Sequence, residues 1–171
     1  MNPFKRTTCD CALCCVGCKT KPGALAPGDA EAIAEHVTGE ELTEEFLVEN
    51  FEASEGALVM NKMGQTFRVP SIVPRLTENG CVFLDEDGKC KVHPVSPFGC
   101  SHMDFHMSRA ESDNRLNWFV REQMEAHVTG GRYAWHVKRL HDKGKIARPL
   151  KERQGNFIAE AKRIEDEEGE S

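Results

Sequence analysis

Cys9-Asp10-Cys11-Ala12-Leu13-Cys14-Cys15-Val16-Gly17-Cys18 holds five of the chain's eight cysteines in ten residues, and its reading decides what the rest of the sequence is built around. Its apolar residues follow neither a helical nor a strand period, and Pro22-Gly23 and Pro27-Gly28 follow as loop punctuation, so the sequence predicts a metal-wrapping loop. Five clustered thiols have no packing rationale, whereas a thiolate binds zinc or iron far better than it binds a hard cation. Ligands two to four residues apart reach one ion without backbone strain, which suits Cys11, Cys14 and Cys15 to a single site. The side chains of adjacent Cys14 and Cys15 point in different directions, a disposition more natural for one on each of two sites.

Cys81, Cys90 and Cys100 complete the set, so two four-cysteine sites are arithmetically possible. Four thiolates also suit an iron-sulfur cluster, and spacing alone does not separate that from zinc. For Cys81 and Cys90 the competing reading is that of small apolar groups buried in a hairpin.

Around this set, 171 residues with 39% hydrophobic content fit one core-forming unit with an appended helical segment. The formal net charge of -6, with no basic stripe interleaved with aromatics, disfavours nucleic acid. Met1 to Thr8 carry Lys5 and Arg6 but lead into no apolar run, so neither a secretory signal nor a membrane span is expected. A cytoplasmic chain follows, in which thiols stay reduced and free for metal. The acidic end, Glu165 to Glu168 and Glu170, reads as a solvated, fraying terminus.

The remaining elements are predicted from period and punctuation. Asp29 caps a helix with Ala30, Ile33, Ala34 and Val37 inward and Gly39 beyond its end; Thr43 caps another, with Phe46, Leu47 and Phe51 inward. Ala57–Met60 and Thr66–Val69 form short strands around an Asn61–Gly64 turn. Cys81–Leu84 and Lys89–Val92 flank Asp85–Gly88 as a second hairpin, in which Leu84 pairs with Lys89, Phe83 opposes Cys90, and Cys81 lies diagonally on the same face. Past Cys100 three helices are expected, one on Leu116, Phe119, Val120, Met124 and Val128, one from Arg132 to Lys143, and one around Phe157, Ile158, Ala161 and Ile164. The fold class is α+β: a small cysteine-rich metal-binding domain with short β-hairpins and a helical C-terminal part.

Cys100-Ser101-His102-Met103-Asp104-Phe105-His106 is the second crowd of ligand-type residues. On a helix His102 and His106 would share a face and could bind zinc or iron, with Asp104 adding a carboxylate; the alternative is histidines hydrogen-bonded near a turn. His93 is a candidate hydrogen-bond donor to a thiolate. His36, His127, His136 and His141 fall on predicted helices in structural roles, and Trp118 and Trp135 read as core or interface aromatics. There is no nucleophile elbow, phosphate loop or dinucleotide fingerprint. What remains is a carrier or sensor of metal or electrons, a metal-dependent enzyme with its site near His102 and His106, or a structural zinc module, with an unnamed protein or small-molecule partner.

Cys11-Ala12-Leu13-Cys14-Cys15, the helix opened by Pro27-Gly28-Asp29, Cys81-Val82-Phe83-Leu84, and Cys90-Lys91-Val92-His93-Pro94-Val95-Ser96-Pro97-Phe98-Gly99-Cys100 together resemble the YkgJ-type cysteine-cluster family, of CxxCxxCC type and described as zinc- or iron-chelating. The resemblance covers about the first hundred residues. It implies a cysteine-cluster domain over residues 1–108, with residues 109–171 a helical extension packed on it. It also implies a ligand set drawn from Cys9, Cys11, Cys14, Cys15, Cys18, Cys81, Cys90 and Cys100. An enzyme with this type of domain looks like an iron-sulfur protein, which tilts the expected cofactor towards an iron-sulfur cluster or iron, with zinc as the alternative. Three features depart from the pattern: Cys9 and Cys11 stand one residue closer than Cys-x-x-Cys, Cys18 is an addition, and Ser96-Pro97 stands where the family has Arg-Pro, with Ser101 after the last cysteine.

Overall fold

The computed structural model describes residues 2–7 and 9–169 as an α+β fold with two small antiparallel sheets. The cysteine-rich stretch is not a loop. From Ala12 it is helix α1 (Ala12–Thr20), because cysteine is itself a small apolar residue and Cys11, Cys14, Cys15 and Cys18 recur at i, i+3, i+4 and i+7. At about 100° per residue these four occupy an arc of about 100° on one side of the helix.

Helices α2 (Asp29–Thr38) and α3 (Glu44–Asn50) follow. Thr43 caps α3 as expected, its Oγ1 accepting from Phe46 N–H. In α2, Ala30, Ile33 and Ala34 are buried and Gly39 closes the C-terminus, whereas Val37 is half exposed. Asp29 is not the cap of α2 but its first residue, the cap being left-handed Gly28. Its carboxylate reaches away from the helix, Oδ2 accepting from the backbone N–H of Ala26 and of Phe98, each at 2.8 Å.

β1 (Phe51–Met60) pairs with β2 (Thr66–Pro74), longer than the strands predicted but around the predicted turn. A bulge between Ser54 and Ala57 requires Gly56: at φ 69°, a Cβ there would lie 1.7 Å from the Val69 carbonyl oxygen. Beyond the bulge the hairpin leaves the core, with Leu58, Met60 and Phe67 exposed.

β3 (Leu76–Thr77) and β4 (Gly80–Cys81) form the second sheet. The predicted pairing of Leu84 with Lys89 is off by one: Leu84 bridges Cys90. The cause is Asp85, whose Oδ1 accepts from Asp87 and Lys89 N–H while its own N–H bonds the Lys89 carbonyl, tightening the turn. A 3₁₀ turn (His93–Val95) leads to the single turn α4 (Phe98–Ser101), then α5 (Arg109–Thr129), α6 (Arg132–Asp142) and α7 (Leu150–Gly169). In α5 Leu116 and Val128 are exposed rather than inward. Glu165 to Glu168 do not fray but continue α7, where Arg163 bonds Glu160 and Glu167; Glu170 lies outside the described residues.

The core joins Leu25, Ile33, Leu47, Phe51 and Ile72 to Tyr133, Val137 and Leu140 of α6. The Tyr133 hydroxyl donates to the Leu25 carbonyl and accepts from Ile72 N–H and Gln123 Nε2, so this buried polar group is fully satisfied.

Because Asp29 holds two backbone donors, Asp29→Ala is expected to cost about 1–3 kcal/mol, with Asp29→Asn retaining an acceptor and most of the stability. Burial lifts the Asp29 carboxyl to about 6, against the pull of its two N–H partners. The folded state thus holds the proton more tightly than the unfolded chain. The wild type should lose stability relative to Asp29→Asn as pH rises from about 4 to 6, and not further above it. Denaturation midpoints of the two proteins across that range provide the check.

Candidate metal centre

Four ligand atoms converge at the N-terminus of α1. The sulfurs of Cys9, Cys11 and Cys14 and a ring nitrogen of His106 all lie within 4.8 Å of one another. Cys11 is the N-cap of α1 and Cys14 lies one turn on, so the helix itself sets their spacing. His106 Nε2 stands 3.4 Å from Cys11 Sγ. Its segment is fixed by Asp104, whose Oδ1 accepts from His106 N–H and whose Oδ2 takes the Thr7 hydroxyl.

The electrostatics of this group favour a thiolate at one position and oppose it at another. The first-turn N–H of Cys14 is the largest influence on Cys11 and His106 the next, together bringing that thiol down to about 6. His106 is correspondingly pushed up, chiefly by its bond to Cys11. Burial is the main reason that Cys14 rises to about 12, against the Phe105 backbone N–H that lowers it. A bound cation reverses such a penalty, since a coordinating thiol gives up its proton outright.

A second group of thiols lies at the other end of α1. Cys18 comes from its last turns, Cys81 from β4, Cys90 from the residue bridged to Leu84, and Cys100 from α4. Burial raises Cys18 to about 11 and Cys81 to about 12, Cys100 goes well above the usual thiol range, and Cys90 also rises. In each, neighbouring thiols add to the rise: Cys90 and Cys15 act on Cys18, Cys18 and Cys90 on Cys81, and Cys18, Cys81 and Cys90 on Cys100. Cys15 lies between the groups, influenced by Cys9 and Cys11 and acting on Cys18 and Cys90, while its Sγ–H donates to the Asp10 carbonyl at 3.4 Å.

Close backbone approach places this second group. Gly80, at φ 104°, faces the Cys18 carbonyl, and Gly23 and Gly99 touch where Gly23 N–H donates to Cys100 Sγ at 3.2 Å. Arg6 donates to Ser96 Oγ at 2.8 Å and to the His93 carbonyl, and its charge lowers Cys90. The N-terminal arm thus brings a guanidinium to the segment between Cys90 and Cys100.

His102 and His106 do not share a helical face, because α4 ends at Ser101. His102 is buried, stacked on Phe98 with ring centroids 4.7 Å apart, and its nitrogens meet Asn2 Nδ2 and Ser101 Oγ. Sequence spacing named both histidines without separating them, and what separates them is the turn between. Among the other histidines, His136 is buried against Glu31 and His127 meets the Pro70 carbonyl. Trp118 packs on Phe4 and Phe98, whereas Trp135 is half exposed. No helix among the described residues is long and apolar enough to cross a membrane.

A helix bearing four thiols on one side, met by a histidine at one end and by three thiols from other segments at the other, defines a metal-chelating domain. The chain belongs to the CxxCxxCC family, described as "Putative zinc- or iron-chelating domain", whose family model matches residues 8–124. Laid on Cys11, Cys14 and Cys15, the family's spacing puts its first cysteine at position 8, a threonine here, and Cys9 beside it supplies the sulfur that reaches the group. Neither the curated proteins nor the solved structures contain a match.

Proposed function

We propose that the chain carries two thiolate centres: a single zinc or iron ion on Cys9, Cys11, Cys14 and His106, and an iron-sulfur cluster on Cys18, Cys81, Cys90 and Cys100, the pair serving a redox or metal-dependent role. The observation that carries the reading is the convergence of three sulfurs and one imidazole within 4.8 Å. A tetrahedral ion with sulfur at about 2.3 Å and nitrogen at about 2.0 Å sets those atoms about 3.5 Å apart, close to the 3.4 Å between Cys11 and His106. A multi-iron cluster interposes its own atoms and holds its ligands farther apart, which favours one ion here.

At the other end of α1 the donors are sulfur only, drawn from four segments and held where burial opposes ionisation unless a cation is present. Four cysteine thiolates with no other donor are a cradle that suits a cluster. Eight cysteines and one histidine in this arrangement leave Cys15 as a neighbour of both centres.

The test is metal and acid-labile sulfide analysis on protein purified without oxygen. His106→Ala should remove metal but leave sulfide, Cys81→Ser and Cys90→Ser should remove sulfide, and His102→Ala should change neither. Colourless protein with zinc at both positions and no sulfide would replace this reading with a structural zinc module.

A further inference from the structure

The metal-bearing helix forms one wall of a cavity of about 470 Å³, within the range of small-molecule sites. Cys14 of the first thiol group and Cys18 and Cys100 of the second all line it, so one open-mouthed space touches both. Phe119 of α5 and Phe157 of α7 are among its apolar lining.

Two cations are built into that wall, Lys21 just past α1 and Arg153 in α7. Arg153 is 3% exposed, and it is held by neutral groups, Nε donating to the Arg148 carbonyl at 2.9 Å and Nη2 to Ser54 Oγ at 2.6 Å. Lys21 Nζ donates to Gln154 Oε1 at 2.6 Å and lies 5.6 Å from the centre of the Phe157 ring. Among the described residues no carboxylate comes within 4.0 Å of either nitrogen group. Glu52 and Glu55 act on Arg153 only from a distance. The one carboxylate in the wall, Asp104, is occupied by Thr7 and by His106 N–H.

Burial works against both charges, and Arg153 adds to the effect on Lys21. An anion in the cavity would neutralise both. The geometry points to this cavity as the binding site of a small organic anion, a carboxylate or phosphate joined to an apolar body, with its charged end at Lys21 and Arg153 and its body against Phe119 and Phe157 beside the thiols. What such a ligand does there rests on the two-centre reading, whereas its binding rests on the cavity alone.

Octanoate and phenyl phosphate are the probes, with octanamide and inorganic phosphate as controls, titrated into anaerobically purified wild-type protein by calorimetry with metal content measured on the same sample. Saturable binding of octanoate or phenyl phosphate, at least about tenfold tighter than either control, is expected, and the better of the two identifies the head group. Lys21→Met should weaken it about tenfold or more with metal content unchanged, and Phe157→Ala should weaken it as well. Lys21 is only partly buried whereas Arg153 is 3% exposed and bonded to Arg148 and Ser54, so Lys21→Met is the variant that decides the matter. No saturable binding to the fully metal-loaded protein, or equal binding by Lys21→Met, overturns the inference and leaves the metal reading standing. Binding retained by protein that holds no metal supports the cavity and counts against the two centres.

Discussion

Stripping metal from the folded protein is expected to raise amide exchange across Ala12–Thr20 by about a hundredfold or more while the amides around Ile72 and Leu140 stay protected. Helix α1 has nine residues and only Val16 fully buried. Isolated helices shorter than about 12–15 residues are marginal in water, so this one depends on what it is tied to. Its N-cap, Cys11, has no oxygen to cap the helix and offers the first-turn N–H of Cys14 only a sulfur in place of the usual partner. Packing on α7 supplies part of the tie, and on the two-centre proposal coordination at both ends supplies the other part. Structural zinc sites contribute about 10–16 kcal/mol of apparent binding free energy, far more than a hundredfold change in exchange, about 2.7 kcal/mol, requires. Exchange at residues 12–20 that is the same with and without metal would show that burial alone orders the helix.

That helix is also where sequence reading and structure part. Scored for leucine-like residues, Cys9 to Cys18 has no period; scored with cysteine as apolar, Cys11, Cys14, Cys15 and Cys18 fall at helical spacing. The expectation that Cys14 and Cys15 point apart holds on a helix too, since about 100° separates them, which directs Cys14 to the first thiol group and leaves Cys15 between the two. Elements with local punctuation were legible: Thr43 and Gly39 mark helix ends, and Asn61–Gly64 marks the turn of the long hairpin. Long-range partners were not. His106 meets Cys11 across 95 residues, and Arg6 meets Ser96 across 90, because the chain between them is folded by burial of residues such as Ile72 and Tyr133 that carry no sign of the site. The cavity had no signal at all, since Lys21 and Arg153 are ordinary charges until burial and the absence of an acidic partner set them apart.

Gly23→Ala is expected to lower stability by about 3 kcal/mol and to empty the second thiol group while leaving the first loaded. Gly23 does not have a left-handed backbone, so its requirement is for space: a Cβ there would lie 2.2 Å from the Gly99 carbonyl carbon and 2.4 Å from Cys100 N. Both are backbone atoms, which cannot swing aside as a side chain would. Adding a methyl to a filled space costs about 1–3 kcal/mol or more. The same contact positions a proposed ligand, because Gly23 N–H donates to Cys100 Sγ and Gly99 N–H donates to the Ala24 carbonyl at 3.0 Å. Moving these two segments apart therefore carries Cys100 away from Cys18 and Cys81. Gly17→Ala is the paired control, one residue from Cys18 on α1 with nothing within 4 Å of the added methyl. Alanine in a helix interior is favoured over glycine by about 1 kcal/mol, so this variant should gain stability and keep all its metal. Denaturation midpoints and metal and sulfide content for the two variants separate the cases. A Gly23→Ala protein with wild-type sulfide would mean that Cys100 is not a ligand of the second centre, and a Gly17→Ala protein that loses it would mean that α1 must bend to hold it.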